Sequence, residues 1–211
     1  MTNFRAITLS FVLLSPNVVG AQSTSLEPAE GYFSSYDFSH EYRTKVRNIL
    51  LKGITDTPDA MLVTLASFSP ESAIVLTDGE VIMLMCSKPI WNNDAPEKIL
   101  IEKTSIRISK ELAAAIHTLW FDALGTTSYS DESRAGLDGA SFYFTSFRVG
   151  LGLRAGTAWS PEAKSLPSEL LDVAVGLRNL DGKDEAAQKE LLDRVQTLHA
   201  NIKKRESGPR E

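Results

Sequence analysis

Apolar and polar residues repeat with two different periods along this chain, and each change of period marks an element. Tyr42, Val46, Ile49 and Leu50 recur at helical spacing behind Ser39, a helix-capping residue type, and Gly53 follows as a stop. That spacing predicts a first helix over Ser39 to Lys52. Asp56-Thr57-Pro58-Asp59 is turn chemistry. β-like runs come next. AMLVTLASF (60–68) is one, and SAIVLTDGEVIMLMCS (72–87) holds two, parted by Thr77-Asp78-Gly79-Glu80. Asp-Gly between β-rich runs signals a hairpin, because glycine accepts the positive φ of a tight turn. Ser69-Pro70-Glu71 marks a corner, and KILIEKTSIRI is a fourth run that ends at Ile108. VIMLMC is apolar without interruption, the pattern of a strand buried on both faces.

The second half repeats the theme. Ser109 caps a helix whose Leu112, Ile116, Leu119, Trp120 and Ala123 form one stripe, with Gly125 at its end. TTSYSDESRAGLDG is a polar loop. Phe142 and Phe144 then alternate with Tyr143 and Thr145, so Ala140 to Val149 reads as a strand. Gly150-Leu151-Gly152 turns, Leu153 to Trp159 returns, and Ser160-Pro161 ends the sheet, since proline has no ladder N–H. Pro167 suits the first turn of a helix carrying Leu170, Ala174 and Leu177 inward. Asp181-Gly182 breaks it, and a last helix presents Leu191, Val195, Leu198 and Ile202 on one face. Helices alternating with hairpins predict an α+β fold, a mostly antiparallel sheet of about five to six strands with helices packed on one side.

The N-terminus has its own pattern. Arg5 precedes an apolar run from Ala6 to Leu14, and Val19-Gly20-Ala21 follows. That order of charge, apolar run and small residues is a cleavable signal peptide, residues 1–21. A run of nine residues falls far short of the roughly 20 needed to span a bilayer. The expected organisation is therefore a signal peptide (1–21), a flexible lead-in (22–38), one α+β domain (39–203) and a charged tail (204–211). The expected product is soluble and exported, periplasmic or secreted, with no membrane span after cleavage.

Charge and composition narrow the chemistry. Without residues 1–21 the chain keeps 21 basic and 27 acidic residues, a net charge of −6. That balance argues against nucleic-acid binding, which needs a basic face. Cys86 is the single cysteine, so no internal disulfide is available and the core alone must hold the fold. Its place in VIMLMC suits a small buried hydrophobe better than a reactive thiolate.

Recognisable catalytic motifs do not occur. The chain has no GxSxG, SxxK, CxxC or HExxH pattern. His40, His117 and His199 fall far apart on three predicted helices, which gives no metal-ligand spacing. Gly150, Gly152 and Gly156 loosely resemble a phosphate loop, but strand-like residues follow them where a helix should start. Neither a metal nor a cofactor is implied. Asp122, Asp131, Glu132 and Asp138, with His117, are the candidates for an acidic hydrolytic site. Tyr143, Arg148, Arg154 and Trp159 are the candidates for a ligand-binding face on the last hairpin, because such residues concentrate binding energy. The competing reading places Phe142, Phe144 and Trp159 in the core with the arginines solvated. A non-enzymatic binding module for an envelope protein or a small ligand is the favoured expectation, and an exported hydrolase is the alternative.

Overall fold

The computed structural model describes residues 22–29, 40–129 and 138–206. Among these residues seven strands form one antiparallel sheet: β1 (Glu27–Pro28), β2 (Ala60–Ala66), β3 (Ser72–Thr77), β4 (Glu80–Cys86), β5 (Ile101–Arg107), β6 (Ala140–Arg148) and β7 (Gly152–Trp159). Their order across the sheet is β1-β7-β6-β2-β3-β4-β5. Four helices accompany them: α1 (His40–Ile49), α2 (Lys110–Ala123), α3 (Leu166–Asn179) and α4 (Glu185–Glu206). The α+β class and the antiparallel sheet are as expected. The sheet has more strands than expected because Glu27–Pro28 adds to β7, opposite Thr157 and Gly156.

Local chemistry explains the turns and caps. Asp78 and Gly79 both have positive φ, the requirement of the tight hairpin turn that joins β3 to β4. Gly150 and Gly152 do the same work between β6 and β7. Ser109 accepts from the Leu112 N–H and Ser165 from the Ser168 N–H, capping α2 and α3. Both sheet edges are unattractive to further strands. β1 is two residues long, and β5 exposes Glu102, Lys103, Thr104 and Ser105.

Both faces of the sheet are covered. Leu62, Leu76, Val81 and Phe144 point towards α2, α3 and α4, against Leu112, Ile116, Leu170 and Val195. Their strand neighbours Met61, Val63, Val75, Ile82 and Tyr143 point the other way, against Val46 and Leu50 of α1 and against Ile90 and Ile99. Three helices therefore lie on one side, as expected, and α1 lies on the opposite side. The reason is the double-sided apolar content of β2 to β4, whose second face needs its own cover.

The segment before α1 is packed where it is described. Leu26 is 1% exposed in the helix-side core, and Ser23 bonds the backbone of Trp159. Glu27 and Pro28 thus belong to the sheet, with Ser23 and Leu26 packed beside it. At the other end, α4 continues to Glu206, three residues beyond the predicted end of the domain. Residues 1–21, which carry the signal-peptide expectation, lie outside the described residues.

A buried carboxylate fixes α1 in place. Glu71, at the corner before β3, is 1% exposed. It accepts from the Tyr42 hydroxyl at 2.6 Å, the Ile90 N–H at 2.8 Å and the Trp91 N–H at 3.3 Å. Tyr42 also meets Trp91 edge-on, with ring centroids 4.9 Å apart. Glu71→Ala would strand three donors and is expected to cost about 3 kcal/mol in urea unfolding. Glu71→Gln keeps one oxygen and should cost less. A loss below about 1 kcal/mol for the alanine variant would show that the carboxylate is expendable.

Candidate functional site

The four hairpin residues singled out in the sequence do not share a face. Successive residues of a strand point to opposite sides. The register pairs Tyr143 with Thr157 and Ser141 with Trp159, which places Tyr143 and Trp159 on the α1 side. Arg148 pairs with Gly152 and Arg154 with Ser146, on the α2 side. There the guanidinium carbons of Arg148 and Arg154 stand 4.4 and 4.0 Å from the ring centre of Phe121. Arg154 also donates to the Phe121 carbonyl at 2.8 Å. These arginines are neither simply solvated nor gathered with the two aromatics; they pin the hairpin to α2. Phe144 is in the helix-side core, Phe142 packs beside it, and Trp159 is half-buried on the other face.

His117 and Asp122, from the acidic candidates, are likewise held by different partners. His117 donates from Nε2 to the Phe147 carbonyl at 2.8 Å, and its Nδ1 is 3.9 Å from Asp59 Oδ1. Asp122 instead accepts from His199 Nε2 at 2.9 Å and from Lys203 Nζ at 3.1 Å, joining the end of α2 to α4. Burial pushes Asp122 up, but hydrogen bonds and charge from His199 and Lys203 outweigh it and hold the carboxyl below its ordinary value. Asp131, Glu132 and the side chain of His40 lie outside the described residues. Among the described residues no three histidine, cysteine or carboxylate side chains gather as metal ligands. Cys86 is buried, and burial first, then the charge of Glu71, pushes its thiol up to about 12, far from the thiolate a nucleophile needs. Gly156 lies within β7, where a Cβ would come within 2.9 Å of Leu124; it serves packing and not a phosphate loop.

A cavity of about 230 Å³ opens between the end of α1 and the sheet. Its walls are Leu51, Ile54, Pro58, Met61 and Leu153, and its polar members are Thr145, Arg47, Thr55 and Asp56. Local structure makes the gap. α1 ends at Ile49, Gly53 turns the chain with φ +78°, and the segment meets the sheet at Pro58, whose carbonyl accepts from the Phe147 N–H at 2.9 Å. Met61 and Thr145 are cross-strand partners, so both present side chains to this space. At the mouth, Arg47 Nη2 and Asp56 Oδ1 are 2.7 Å apart.

Thr145 is the unusual member. Its side chain is 3% exposed, and its hydroxyl has no hydrogen-bond partner among the described residues. Buried polar groups are nearly always partnered, because an unpaired one keeps its desolvation cost. That oxygen exposes less than 1 Å² even towards the cavity, so it carries this cost inside the wall and is not presented at the cavity surface. The alternation along β6 marks Phe142 and Phe144 as its inward side and so gives Thr145 no role. The signal available was the uninterrupted apolar run VIMLMC, which already implied a second covered face.

The chain matches no protein-family model, and no curated protein or solved structure is similar to it.

Two outcomes follow from this geometry. Thr145→Val replaces the orphan hydroxyl by a methyl of similar shape. It should raise stability by about 1 kcal/mol, seen as a melting temperature higher by roughly 2–4 °C; a decrease would mean that the hydroxyl is already satisfied. Asp122→Asn tests the α2–α4 link. A depressed folded-state pKa adds stability above the unfolded value, about 3.9, and loses it as pH falls through the folded value. The variant should therefore be less stable than wild type at about pH 7 and converge with it below about pH 4. A constant gap across that range would assign the loss to packing.

Proposed function

We propose that this chain is an exported, non-enzymatic binding domain and that it holds a small, mainly apolar ligand between α1 and the sheet. The observation that carries this reading is the cavity of about 230 Å³ whose walls are mainly Leu51, Ile54, Pro58, Met61 and Leu153. Ligand sites are typically concave and apolar, with few polar groups that fix orientation. Export rests on the pattern of residues 1–21, and among the described residues no helix is long and apolar enough to cross a membrane.

Docking to an envelope protein is the second reading, and one observation favours it. Val149, Leu151 and Leu153 at the tip of the β6–β7 hairpin are 87%, 63% and 51% exposed. The hydrolase alternative gains no support from the geometry, since His117 and Asp122 are engaged by different partners.

The test is a screen of small apolar fragments against residues 22–211, read by melting temperature and by NMR. Binding to the folded state stabilises it by about 2.7 kcal/mol at a hundredfold excess over Kd. Hits should shift Met61, Thr145 and Leu153 resonances, and Leu153→Trp, which fills the mouth, should abolish them. Hits that leave those three residues unmoved would place the ligand elsewhere. No hit at all, together with a stoichiometric protein partner lost on Leu151→Asp, would transfer the function to the hairpin tip. Export is checked on the full chain of 211 residues expressed in a secreting host, where the recovered product should begin at Gln22; a product that keeps residues 1–21 would remove the export reading.

A further inference from the structure

We propose that the tip of the β6–β7 hairpin, Val149, Leu151 and Leu153, inserts into the interface of a lipid bilayer and seats the protein reversibly on a membrane. This goes beyond the small-ligand reading and does not depend on it. It assigns to lipid the tip that the second reading gives to a protein.

Local sequence puts apolar surface where nothing in the chain covers it. Arg148-Val149-Gly150-Leu151-Gly152-Leu153-Arg154 closes the hairpin, with Gly150 and Gly152 at positive φ. The Leu151 N–H donates to the Arg148 carbonyl at 3.0 Å and tightens the turn. Turns are dominated by glycine and small polar residues, but here every residue between the two arginines that is not glycine is aliphatic. Val149 is the most exposed large apolar side chain among the described residues, and Leu151 and Leu153 are each more than half exposed. The hairpin is braced just behind them. Phe147 donates its N–H to the Pro58 carbonyl at 2.9 Å, and His117 bonds the Phe147 carbonyl.

Area decides the partner. Contiguous exposed apolar side chains mark a protein or a membrane contact. Three aliphatic side chains offer on the order of 300 Å² between them. A stable protein interface takes roughly 800 Å² from each side. A bilayer sets no such minimum, because its apolar interior closes around a protruding side chain from every direction. A few aliphatic groups then give weak, reversible attachment.

Charge fits the same partner. Arg148 and Arg154 bracket the tip in the chain, and their guanidinium groups are held over Phe121 on the α2 side. One to three residues separate them from the aliphatic positions, about 3–10 Å along a strand. An interfacial segment sinks about 5–10 Å into the boundary between headgroups and acyl chains. Cations set back by that distance stand among lipid phosphates when the tip reaches the acyl chains. The acids on the neighbouring segment are engaged within the chain. Asp56 pairs with Arg47, and Asp59 accepts from the Asp78 N–H.

The experiment is co-sedimentation of residues 22–211 with vesicles of phosphatidylcholine containing about one-fifth phosphatidylglycerol. The tip carries about eleven aliphatic side-chain carbons, fewer than a myristoyl chain, which binds with about 10⁴ M⁻¹. Half of the protein is therefore expected on vesicles at about 1 mM lipid, tenfold weaker than that chain. Leu151→Asp should weaken binding at least about tenfold, since a carboxylate resists leaving water. Leu151→Trp should strengthen it, because tryptophan favours the interface. Leu100→Asp alters another exposed leucine, at the opposite end of the sheet, and should leave binding unchanged. Position 151 is a surface site outside the α1 cavity, so Leu151→Asp should keep both the melting temperature and any fragment binding. The membrane and small-ligand readings thus fail separately. Absence of sedimentation at about 10 mM lipid, or sedimentation that Leu151→Asp leaves intact, would overturn the proposal. A stoichiometric protein partner lost on Leu151→Asp, without vesicle binding, would return the tip to the second reading.

Discussion

The buried carboxylate of Glu71 is the contact on which the second face of the sheet depends. A carboxylate removed from water must recover its lost hydration from fixed donors. Glu71 recovers it from a phenol on α1 and from two backbone N–H groups in the segment after β4. Its own backbone carbonyl accepts from Cys86 at the end of β4. One residue at a sheet corner therefore ties together a helix, a loop and two strands. The chemistry of its neighbours keeps the arrangement stable. Burial, then the hydrogen bond and charge of Glu71, push the Tyr42 phenol well above its ordinary value, so it stays a donor. The raised Cys86 thiol stays neutral and adds no second negative charge beside the first.

With α1 held at its Tyr42 end, the cover over the sheet is complete near Glu71 and incomplete near the other end of the helix. Val46 and Leu50 close the core, and beyond them the helix stops. The chain from Leu51 to Pro58 passes the sheet without filling the space over Met61 and Thr145. The cavity is thus a consequence of where α1 is anchored and where it ends. A single helix laid over several strands leaves such a gap wherever it falls short, and here the strand residues beneath it are Met61, Thr145 and Leu153.

Much of this architecture was legible because it is written in local chemistry. The Asp78-Gly79 turn, the Ser109 cap, the glycines around Leu151 and the Pro161 stop each act within a few residues, and each appears in the structure where the sequence placed it. What was not legible depends on which face a residue meets. VIMLMC could be read as buried on both sides, yet nothing local says that α1 is what covers the second side. The same gap in information separated the hairpin candidates. Tyr143 and Arg148 are five positions apart, an odd number, so an uninterrupted strand must send them to opposite faces. Parity alone would have divided that group. Glu71 gave no sequence signal beyond its place in a corner, because its partners lie 19 to 29 residues away.

The two faces also divide the labour of holding the cavity open. On the α2 side, Arg148 and Arg154 clasp Phe121, and His117 bonds the Phe147 carbonyl, so β6 and β7 are fixed from behind. On the α1 side, Glu71 fixes the helix from its far end. The strands carrying Thr145 and Leu153 and the helix carrying Arg47 are therefore positioned by contacts that lie outside the cavity. A pocket whose walls are held from outside needs no ligand to form it, and a ligand entering it pays little to order its surroundings.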